Sequence, residues 1–196
     1  MRYTPNQLAL SLFGPTRSLP PRVTGHFLLS SDDVPEVSLR SAEAMHCERL
    51  RAWKNAHRRF FFFQDVITEA AQRAWFEGYR QRPDDYMFIV QAGDEPIGCM
   101  GIRRRDGQAD VYNVILGRPD YGGRGLMTRA MRLLCSDARR RFGCEVVARV
   151  LKDNPALGWY ERQGFEVVSS FDEYVFIRLA EARFVPVPVA SREILV

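Results

Sequence analysis

A glycine-rich segment, residues 117–128, carries the clearest chemical pattern in the sequence. It follows a predicted strand and leads into an amphipathic helix. Free N–H groups at the start of a helix bind phosphate, and the helix dipole strengthens that attraction. Glycine lets the backbone approach an anion closely because it has no Cβ. The segment therefore favours phosphate binding, with an ordinary glycine-rich turn as the alternative.

Two familiar nucleotide-binding loops do not fit this segment. Gly117 and Gly122 have the spacing of a P-loop, but Gly123 and Arg124 follow where Lys and Ser or Thr are required. A dinucleotide fold is also excluded, because Thr128 stands where its last glycine belongs. In addition, no acidic residue ends a second strand at the expected distance, about 20 residues on.

A second pattern runs from Asn154 to Phe165. Pro155 opens a short predicted helix that contains Tyr160, and Gly164 follows the end of that helix. Taken alone, this stretch predicts a half-buried aromatic residue, a helix cap and a core residue. Its chemical meaning depends on the elements around it.

The hydrophobic periodicity predicts seven strands and four helices. The predicted strands are residues 36–40, 86–92, 96–102, 109–117, 145–151, 165–170 and 174–179. The predicted helices are residues 41–55, 68 to the stop at Pro83, 126–142 and 155–163. A glycine-rich turn thus joins the fourth strand to the third helix.

The two ends of the chain lack this periodicity. Residues 1–35 contain five prolines and are predicted to be an irregular N-terminal arm. Residues 36–180 form the predicted domain. The apolar tail, residues 181–196, is interrupted by prolines and is predicted to be either an edge strand or a contact with another chain.

The composition of the 196 residues limits the function classes. The length fits one domain, and the net charge of +4 comes from arginines spread over several elements, so no nucleic-acid partner is expected. No apolar run approaches the ~20 residues of a membrane span. The four cysteines have neither metal-site nor disulfide spacing. We therefore expect reduced thiols, no metal, no membrane partner and a cytoplasmic location.

Together, the two patterns resemble the GNAT family of acetyl-CoA-dependent N-acetyltransferases. The resemblance covers residues 36–179 and implies an α/β (α+β) fold. It implies a mixed, mostly antiparallel sheet of six or seven strands with about four flanking helices. The residues that match the family's loop are Gly122, Gly123, Arg124, Gly125, Leu126 and Met127. The residues that match its later signature are Tyr160, Gly164 and Phe165.

This resemblance implies acetyl-CoA as the acyl donor, with pantetheine on a splayed strand and pyrophosphate on the loop amides. The implied cofactor-binding residues are Ile115, Leu116, Gly117, Gly122, Gly123, Arg124, Gly125, Leu126, Met127, Thr128 and Asn154. It also implies that Tyr160 is the general acid. A tyrosine with its usual pKa of about 10 is protonated at neutral pH and can donate to the departing thiolate.

No general base is evident in the sequence. The three histidines lie outside the matched motifs and are expected to be structural or on the surface. Tyr112 and Asn113, on the strand before the loop, are weaker candidates for binding a water molecule that relays the proton from the attacking amine.

The acceptor is expected to lie near the first two helices. Trp53, Lys54 and Asn55 resemble a Trp-Arg-Asn segment in the GNAT branch that acetylates amino-sugar nucleotides or protein N-termini. Trp53, Asn55 and Arg58 are therefore weak candidates for acceptor binding. The phenylalanines at residues 60–63 suit stacking on a nucleotide base, although we expect most of them to lie in the core.

Several functions remain open at this point. We favour transfer of an acetyl group to the amine of a sugar nucleotide. Acetylation of a protein N-terminal amine or another small amine is the alternative within the enzyme class. A non-catalytic module that senses acyl-CoA is the alternative outside it. A homodimer also remains open.

Overall fold

One nine-stranded sheet organises residues 26–194, the part of the chain that this computed structural model describes. The strands are β1 (His26–Ser30), β2 (Ser38–Ser41), β3 (Asp85–Ala92), β4 (Glu95–Arg105), β5 (Gln108–Leu116), β6 (Val146–Leu151), β7 (Phe165–Ser170), β8 (Tyr174–Leu179) and β9 (Ala190–Ile194). Their order is β7-β8-β6-β5-β4-β3-β2-β1-β9. Only β5 and β6 run parallel, and every other pair is antiparallel.

Four α-helices cover the sheet: α1 (Cys47–Ala56), α2 (Glu69–Arg80), α3 (Leu126–Phe142) and α4 (Leu157–Arg162). Thr68 begins α2, since its hydroxyl accepts a hydrogen bond from the Ala71 amide at 3.1 Å. Glycines in the left-handed conformation bound α3, Gly125 before it and Gly143 after it. The apolar side of α3 packs on one hydrophobic cluster, and a second cluster includes residues of α1 and α2.

The pairing of β5 with β4 is irregular near the place where β5 separates from β6. Cys99 of β4 pairs with Ile115, but Gly101 pairs with Tyr112. Two residues of β5, Asn113 and Val114, therefore oppose one residue of β4, which is a β-bulge. Asn113 takes a left-handed conformation there, with φ of 48°, which asparagine tolerates better than most residues.

The parallel pairing of β5 and β6 ends just before this bulge. It extends from Ala109 with Val146 to Val111 with Ala148. Beyond that point β6 continues along β8 to Leu151, while β5 continues along β4. The sheet is therefore open between the carboxyl halves of β5 and β6.

The mixed, mostly antiparallel fold with four helices is confirmed, but the expected six or seven strands become nine. The two additional strands come from segments assigned to the arm and the tail. Residues 26–30 form β1, which buries Phe27 and Leu29. Residues 190–194 form β9, which pairs with β1 although four of its five residues are exposed. Residues 1–25 of the predicted arm lie outside the described residues.

Both additional strands escape a periodicity search for a physical reason. Each has only five residues and lies near prolines in the sequence. The strand β9 is held by main-chain hydrogen bonds, so its side chains do not need to alternate between apolar and polar.

Two predicted helix boundaries were also wrong. The helix expected from residue 41 begins at Cys47, because Ser41 still belongs to β2 and hydrogen-bonds to the Phe27 backbone. The helix expected from residue 155 begins at Leu157. Within residues 26–194, no helix has both the length and the apolar character that a membrane crossing requires.

The burial of β1 predicts a position-specific stability effect. Leu29 is fully buried, whereas the neighbouring Leu28 is only half-buried on the other face. We expect Leu29→Ala to lower the free energy of unfolding by about 2–5 kcal/mol because it leaves a cavity, and Leu28→Ala to lower it by much less. Urea denaturation of both variants measures this. Equal, small effects would show that residues 26–30 do not contribute to the core.

Candidate active site

The opening between β5 and β6 exposes backbone groups of β5. Gly117 donates its amide to the Ile97 carbonyl at 2.9 Å, and the Ile115 carbonyl lies against Gly98 of β4. Backbone groups of successive residues in a strand point to opposite edges. Those of Val114 and Leu116 therefore point into the opening. Leu116 was predicted from the sequence to bind the cofactor, and Val114 was not. The backbones of Ile115 and Gly117, which were also predicted to bind it, pair with β4 and its neighbouring residues.

The glycine-rich loop between β5 and α3 presents its amides to the same opening. Gly123 and Gly125 have φ of 73° and 72°, a conformation that other residues rarely adopt. The amides of residues 126–128 begin α3 and have no carbonyl acceptor within the helix. The amide of Gly122 is not one of these free amides, because it donates to the Pro119 carbonyl at 2.9 Å.

Side chains hold the loop in this shape. The Arg129 guanidinium donates to the Arg124 carbonyl at 2.9 Å and pairs with Glu36 at 3.3 Å. The Thr128 hydroxyl accepts a hydrogen bond from the Trp159 indole at 3.2 Å, which ties the start of α3 to α4. Arg129 is thus engaged in holding the loop, whereas the exposed Arg124 lies 4.8 Å over the Tyr121 ring.

Two cavities meet at the opening. The first, of about 410 Å³, lies between the loop and α4 and is lined by glycines 122, 123 and 125, residues 126–128 and Trp159. The second, of about 640 Å³, lies beside the bulge and is lined by Tyr160 and by residues of α1, α2, β4, β5 and β6. Val114, Leu116 and Ala156 line both cavities. The loop and Tyr160 are therefore brought to one continuous space.

Tyr160 lies within α4, two residues before the helix ends, and is 7% exposed. Its ring packs edge-on against Phe165 at 5.4 Å. Among residues 26–194, its hydroxyl has no hydrogen-bond partner, and it reaches the second cavity. Burial, with smaller contributions from Cys135 and Asp110, raises the pKa of Tyr160 above its usual value, so the hydroxyl stays protonated at neutral pH.

Tyr112 and Asn113, at the β-bulge, line the second cavity. The Tyr112 hydroxyl donates to Asp85, and burial together with that carboxylate raises the pKa of Tyr112 well above its usual value. The Asn113 side-chain oxygen accepts a hydrogen bond from Lys54, and the Asn113 carbonyl accepts one from the Cys99 thiol at 3.4 Å. Both residues proposed to bind a relay water therefore already have protein partners.

Lys54 is the ionisable group that sequence reasoning missed. Its amine lies on Asn113 and 3.1 Å from the centroid of the Phe61 ring. Burial lowers the pKa of Lys54 to about 7, far below its usual value of 10.5. The only signal in the sequence was a lysine where the resembling segment has arginine.

The residues expected to bind the acceptor have other roles. Trp53 is buried against Gly117, where a Cβ would lie only 2.0 Å from the indole. Asn55 exchanges two hydrogen bonds with the Ile67 backbone, at 2.8 and 2.9 Å. Arg58 is exposed and points to the Asn55 carbonyl. None of these three lines either cavity, although each fixes a segment beside one.

Asn154 and residues 60–63 do line the second cavity. The Asn154 amide donates to the Phe60 carbonyl at 3.3 Å, and its oxygen accepts from the Ala156 amide at 2.9 Å, so it joins the start of α4 to the phenylalanine segment. The expectation that most of these phenylalanines lie in the core was wrong. Phe62 and Phe63 are 56% and 51% exposed, because no helix or strand covers this turn.

An arginine-rich wall completes the second cavity. Asp110 is buried and accepts hydrogen bonds from Arg103 at 2.9 and 3.0 Å and from Arg149 at 3.1 Å. Arg82 and Arg105 also line this wall. Arg82 pairs with Asp85 at 3.3 Å and Arg105 pairs with Asp106 at 3.4 Å. The four guanidiniums therefore outnumber their three carboxylate partners by one, which leaves the wall positively charged. Sequence reasoning missed the cluster because its members lie on three separate elements.

A family model described as the acetyltransferase (GNAT) family matches residues 48–165, more than half of the chain. The chain belongs to the GNAT acetyltransferase family. The match contains the bulge, the glycine-rich loop and Tyr160. Members of this family use acetyl-CoA as the acetyl donor. No curated protein matches the chain.

Solved structures share the fold of this GNAT chain at low sequence identity. FdhC, described as a nucleotide-linked sugar GNAT, has a TM-score of 0.65 at 18% identity and covers 76% of this chain and 89% of its own. Spermidine N-acetyltransferase from Vibrio cholerae, with CoA and spermine, has 0.65 at 14%, covering 76% and 98%. RimL, a ribosomal L7/L12 N-terminal acetyltransferase, has 0.61 at 16%, covering 85% and 95%.

Two further observations concern metal binding and a third cavity. Within residues 26–194, no group of three or more His, Cys, Asp or Glu side chains could hold a metal ion. A separate cavity of about 790 Å³ lies beside the end of α3, where Arg178 pairs with Glu145 and Glu166 and Arg139 pairs with Glu181. Its charges satisfy one another, so we assign it no role.

The loop geometry predicts how Gly123→Ala affects CoA binding. Alanine costs about 1–2 kcal/mol in the left-handed conformation, so the loop relaxes and its amides move. We expect CoA affinity to fall about fivefold or more in a calorimetric titration. Gly107→Ala is the matched control, because Gly107 has φ of 79° in the distant β4–β5 turn and, like Gly123, has open space around it. Equal CoA affinity of the two variants would argue against phosphate binding by the loop.

Proposed function

We propose that this GNAT acetyltransferase transfers an acetyl group from acetyl-CoA to the amino group of a nucleotide-linked sugar. The proposal has two parts, a donor site at the glycine-rich loop and an acceptor site at the arginine-rich wall. The observation that carries the choice of acceptor is the excess positive charge of that wall.

The donor side fits a molecule that carries a pyrophosphate and a thin chain. The amides of residues 126–128 and the left-handed glycines form an anion-binding helix start beside a cavity of about 410 Å³. The exposed backbone edge of Val114 and Leu116 suits the amide groups of pantetheine. Acetyl-CoA, when bound, supplies the thioester that an amine attacks.

Tyr160 supports the catalytic part of the proposal. Tyr160 is buried as a residue, and its protonated hydroxyl reaches the cavity without a partner among the described residues, which suits it to protonate a thiolate. A backbone N–H at the opening, from Val114 or Leu116, would polarise the thioester carbonyl. Oxyanion donors of this kind contribute about 3–4 kcal/mol to transition-state stabilisation.

The charge of the second cavity supports an anionic acceptor. Arg103 and Arg149 share one carboxylate, Asp110, so their combined charge is not neutralised. Arg105 adds a further guanidinium, whose Nε pairs with Asp106 at 3.4 Å. Guanidinium groups bind phosphate through charge-assisted hydrogen bonds. A polycationic amine such as spermine would be repelled by the same wall.

The exposed phenylalanines support a nucleotide rather than a simple anion. Phe62 and Phe63 line the cavity and keep about half of their surface open. Exposed aromatic rings beside cations suit a nucleotide, because the base stacks while the diphosphate pairs with arginine. FdhC, which shares the fold, is described as a nucleotide-linked sugar GNAT.

Tyr160→Phe tests the donor chemistry. Loss of the phenolic proton donor is expected to lower kcat about 10²-fold, while the ring and its packing remain. Acetyl-CoA binding, measured by calorimetry, should change less than threefold, since the loop amides are untouched. Unchanged turnover would contradict the general-acid assignment.

The acceptor is tested by measuring release of the CoA thiol with a dTDP- or UDP-linked amino-deoxyhexose, with spermine and with a peptide amine. We expect turnover with the sugar nucleotide alone. Preference for spermine or for the peptide would contradict the acceptor proposal while leaving the acetyltransferase assignment intact.

A charge-matched pair of variants locates the acceptor. Arg105→Gln removes a cation from the cavity, whereas Arg104→Gln removes one from the neighbouring residue, which does not line it. We expect Arg105→Gln to raise KM for the sugar nucleotide about tenfold, because a hydrogen bond to a charged group contributes about 1.5–3 kcal/mol. Arg104→Gln should leave KM within twofold, and neither variant should change KM for acetyl-CoA. Equal effects of both variants would show that only net charge matters.

A further inference from the structure

We propose that Lys54 is the general base that accepts the proton of the attacking amine. Acetyl transfer needs a group that removes a proton from the amine nitrogen as the new bond forms. Sequence reasoning found no such group, and the two residues expected to hold a relay water already have protein partners. The amine of Lys54 is one of these partners, since it donates a hydrogen bond to Asn113.

The position of Lys54 meets the geometric requirement for a base. Its side chain lines the second cavity together with Tyr160 and with the exposed edge of β5 at Val114 and Leu116. It therefore lies on the acceptor side of the opening between β5 and β6. The glycine-rich loop lines the other cavity, so an amine bound in the second cavity shares that space with Lys54.

Asn113 orients the lysine. Its side-chain oxygen can only accept hydrogen bonds, so it takes one N–H of Lys54. A neutral lysine then keeps its lone pair for a second partner. Asn113 lies in the β-bulge with φ of 48°, and its backbone carbonyl accepts a hydrogen bond from the Cys99 thiol at 3.4 Å.

The surroundings of Lys54 keep it from being a fixed cation. Among residues 26–194, no carboxylate lies within 4 Å of its amine. Two buried carboxylates of this region have other partners. Asp85 accepts a hydrogen bond from Tyr112, and Asp110 pairs with two arginines. The other ionisable groups that face the cavity are His57, Arg82, Arg103, Arg105, Tyr112, Arg149 and Tyr160, together with the buried Cys99 behind the bulge.

The electrostatics of the site agree with this role. Burial lowers the pKa of Lys54 to about 7. Cys99 acts in the opposite direction, and so does the face of the Phe61 ring, which attracts an ammonium. Burial in turn raises the pKa of Cys99 to about 12, so that thiol stays neutral. At neutral pH a large fraction of Lys54 is therefore the free amine, which can accept a proton. An arginine at the same place would stay charged.

The step balances with two proton transfers. The acceptor nitrogen forms a bond to the acetyl carbonyl carbon, and the bond from that carbon to the CoA sulfur breaks. Lys54 takes one proton from the attacking nitrogen, and Tyr160 gives one proton to the sulfur. The products are an amide, CoA thiol, an ammonium at Lys54 and a tyrosinate at Tyr160. Return of the proton from Lys54 to Tyr160, through solvent, restores the enzyme.

A direct titration tests the required charge state without any acceptor. Lys54 and Lys152 are the only two lysines of the chain. Protein carrying isotope-labelled lysine therefore gives two side-chain signals in NMR, and Lys152→Arg assigns them. We expect the Lys54 signal to titrate near pH 7, about three units below the usual lysine value of 10.5. A Lys54 signal that titrates near 10 overturns the proposal.

Kinetics then test the proton transfer itself. Below its pKa Lys54 is an ammonium and cannot accept a proton, so kcat should rise tenfold per pH unit up to about pH 7 and then level off. Lys54→Gln and Lys54→Arg should each lower kcat about 10²-fold and remove the rise of kcat with pH. Lys152→Gln, the matched control, should keep both the rate and its rise with pH.

Asn113→Asp provides a readout that a purely structural role would not move. A carboxylate beside Lys54 favours its charged form, which raises the pKa of Lys54. We expect both the NMR titration and the rising limb of kcat to shift to higher pH by the same amount. A shift in the titration without a shift in kcat would show that Lys54 is not the base.

The inference rests on acetyl transfer but not on the identity of the acceptor. The rate measurements use whichever of the three probe amines is acetylated, so a failure with the sugar nucleotide leaves the test of Lys54 intact. Activity retained in Lys54→Arg would show that a fixed cation suffices and would overturn the proposal. So would mass-spectrometric detection of acetylation on Lys54 in protein incubated with acetyl-CoA alone, since Lys54 would then be a nucleophile.

Discussion

The parting of β5 from β6 is the constraint on which the rest of the site depends. A sheet normally satisfies its backbone groups by pairing neighbouring strands. Here β5 pairs with β6 only as far as Val111 and then bulges at Asn113 and Val114 against β4. The unpaired edge, the two cavities that meet there and the positions of Lys54 and Tyr160 all follow from that divergence.

Packing around the opening maintains it. Gly117 is pressed against Trp53, so the end of β5 has no room for a side chain at that position. Asn154 ties α4 to the phenylalanine segment, and the Trp159 indole ties it to Thr128. The residues that resembled substrate ligands in the sequence are thus those that hold the walls of the site in place.

Electrostatics divide the site into complementary halves. The proposed donor side offers neutral backbone amides at the start of α3, an arrangement that suits an anion. The proposed acceptor side offers guanidinium groups around two buried carboxylates, Asp85 and Asp110. Between them lie a tyrosine whose pKa is raised and a lysine whose pKa is lowered, both mainly by burial. Such opposed shifts are typical of paired acid and base groups.

The sequence by itself determined the local features: the glycine turn at the start of α3, the cap of α2 and most elements between residues 85 and 179. These depend on neighbours along the chain, so periodicity and glycine placement reveal them. Only the tertiary structure decided the nine-stranded sheet, since β1 and β9 are stabilised by pairing between segments about 160 residues apart. It also decided the surroundings of Lys54. A lysine's pKa depends on burial and on the carboxylates near it, and both are properties of the folded packing rather than of spacing in the chain.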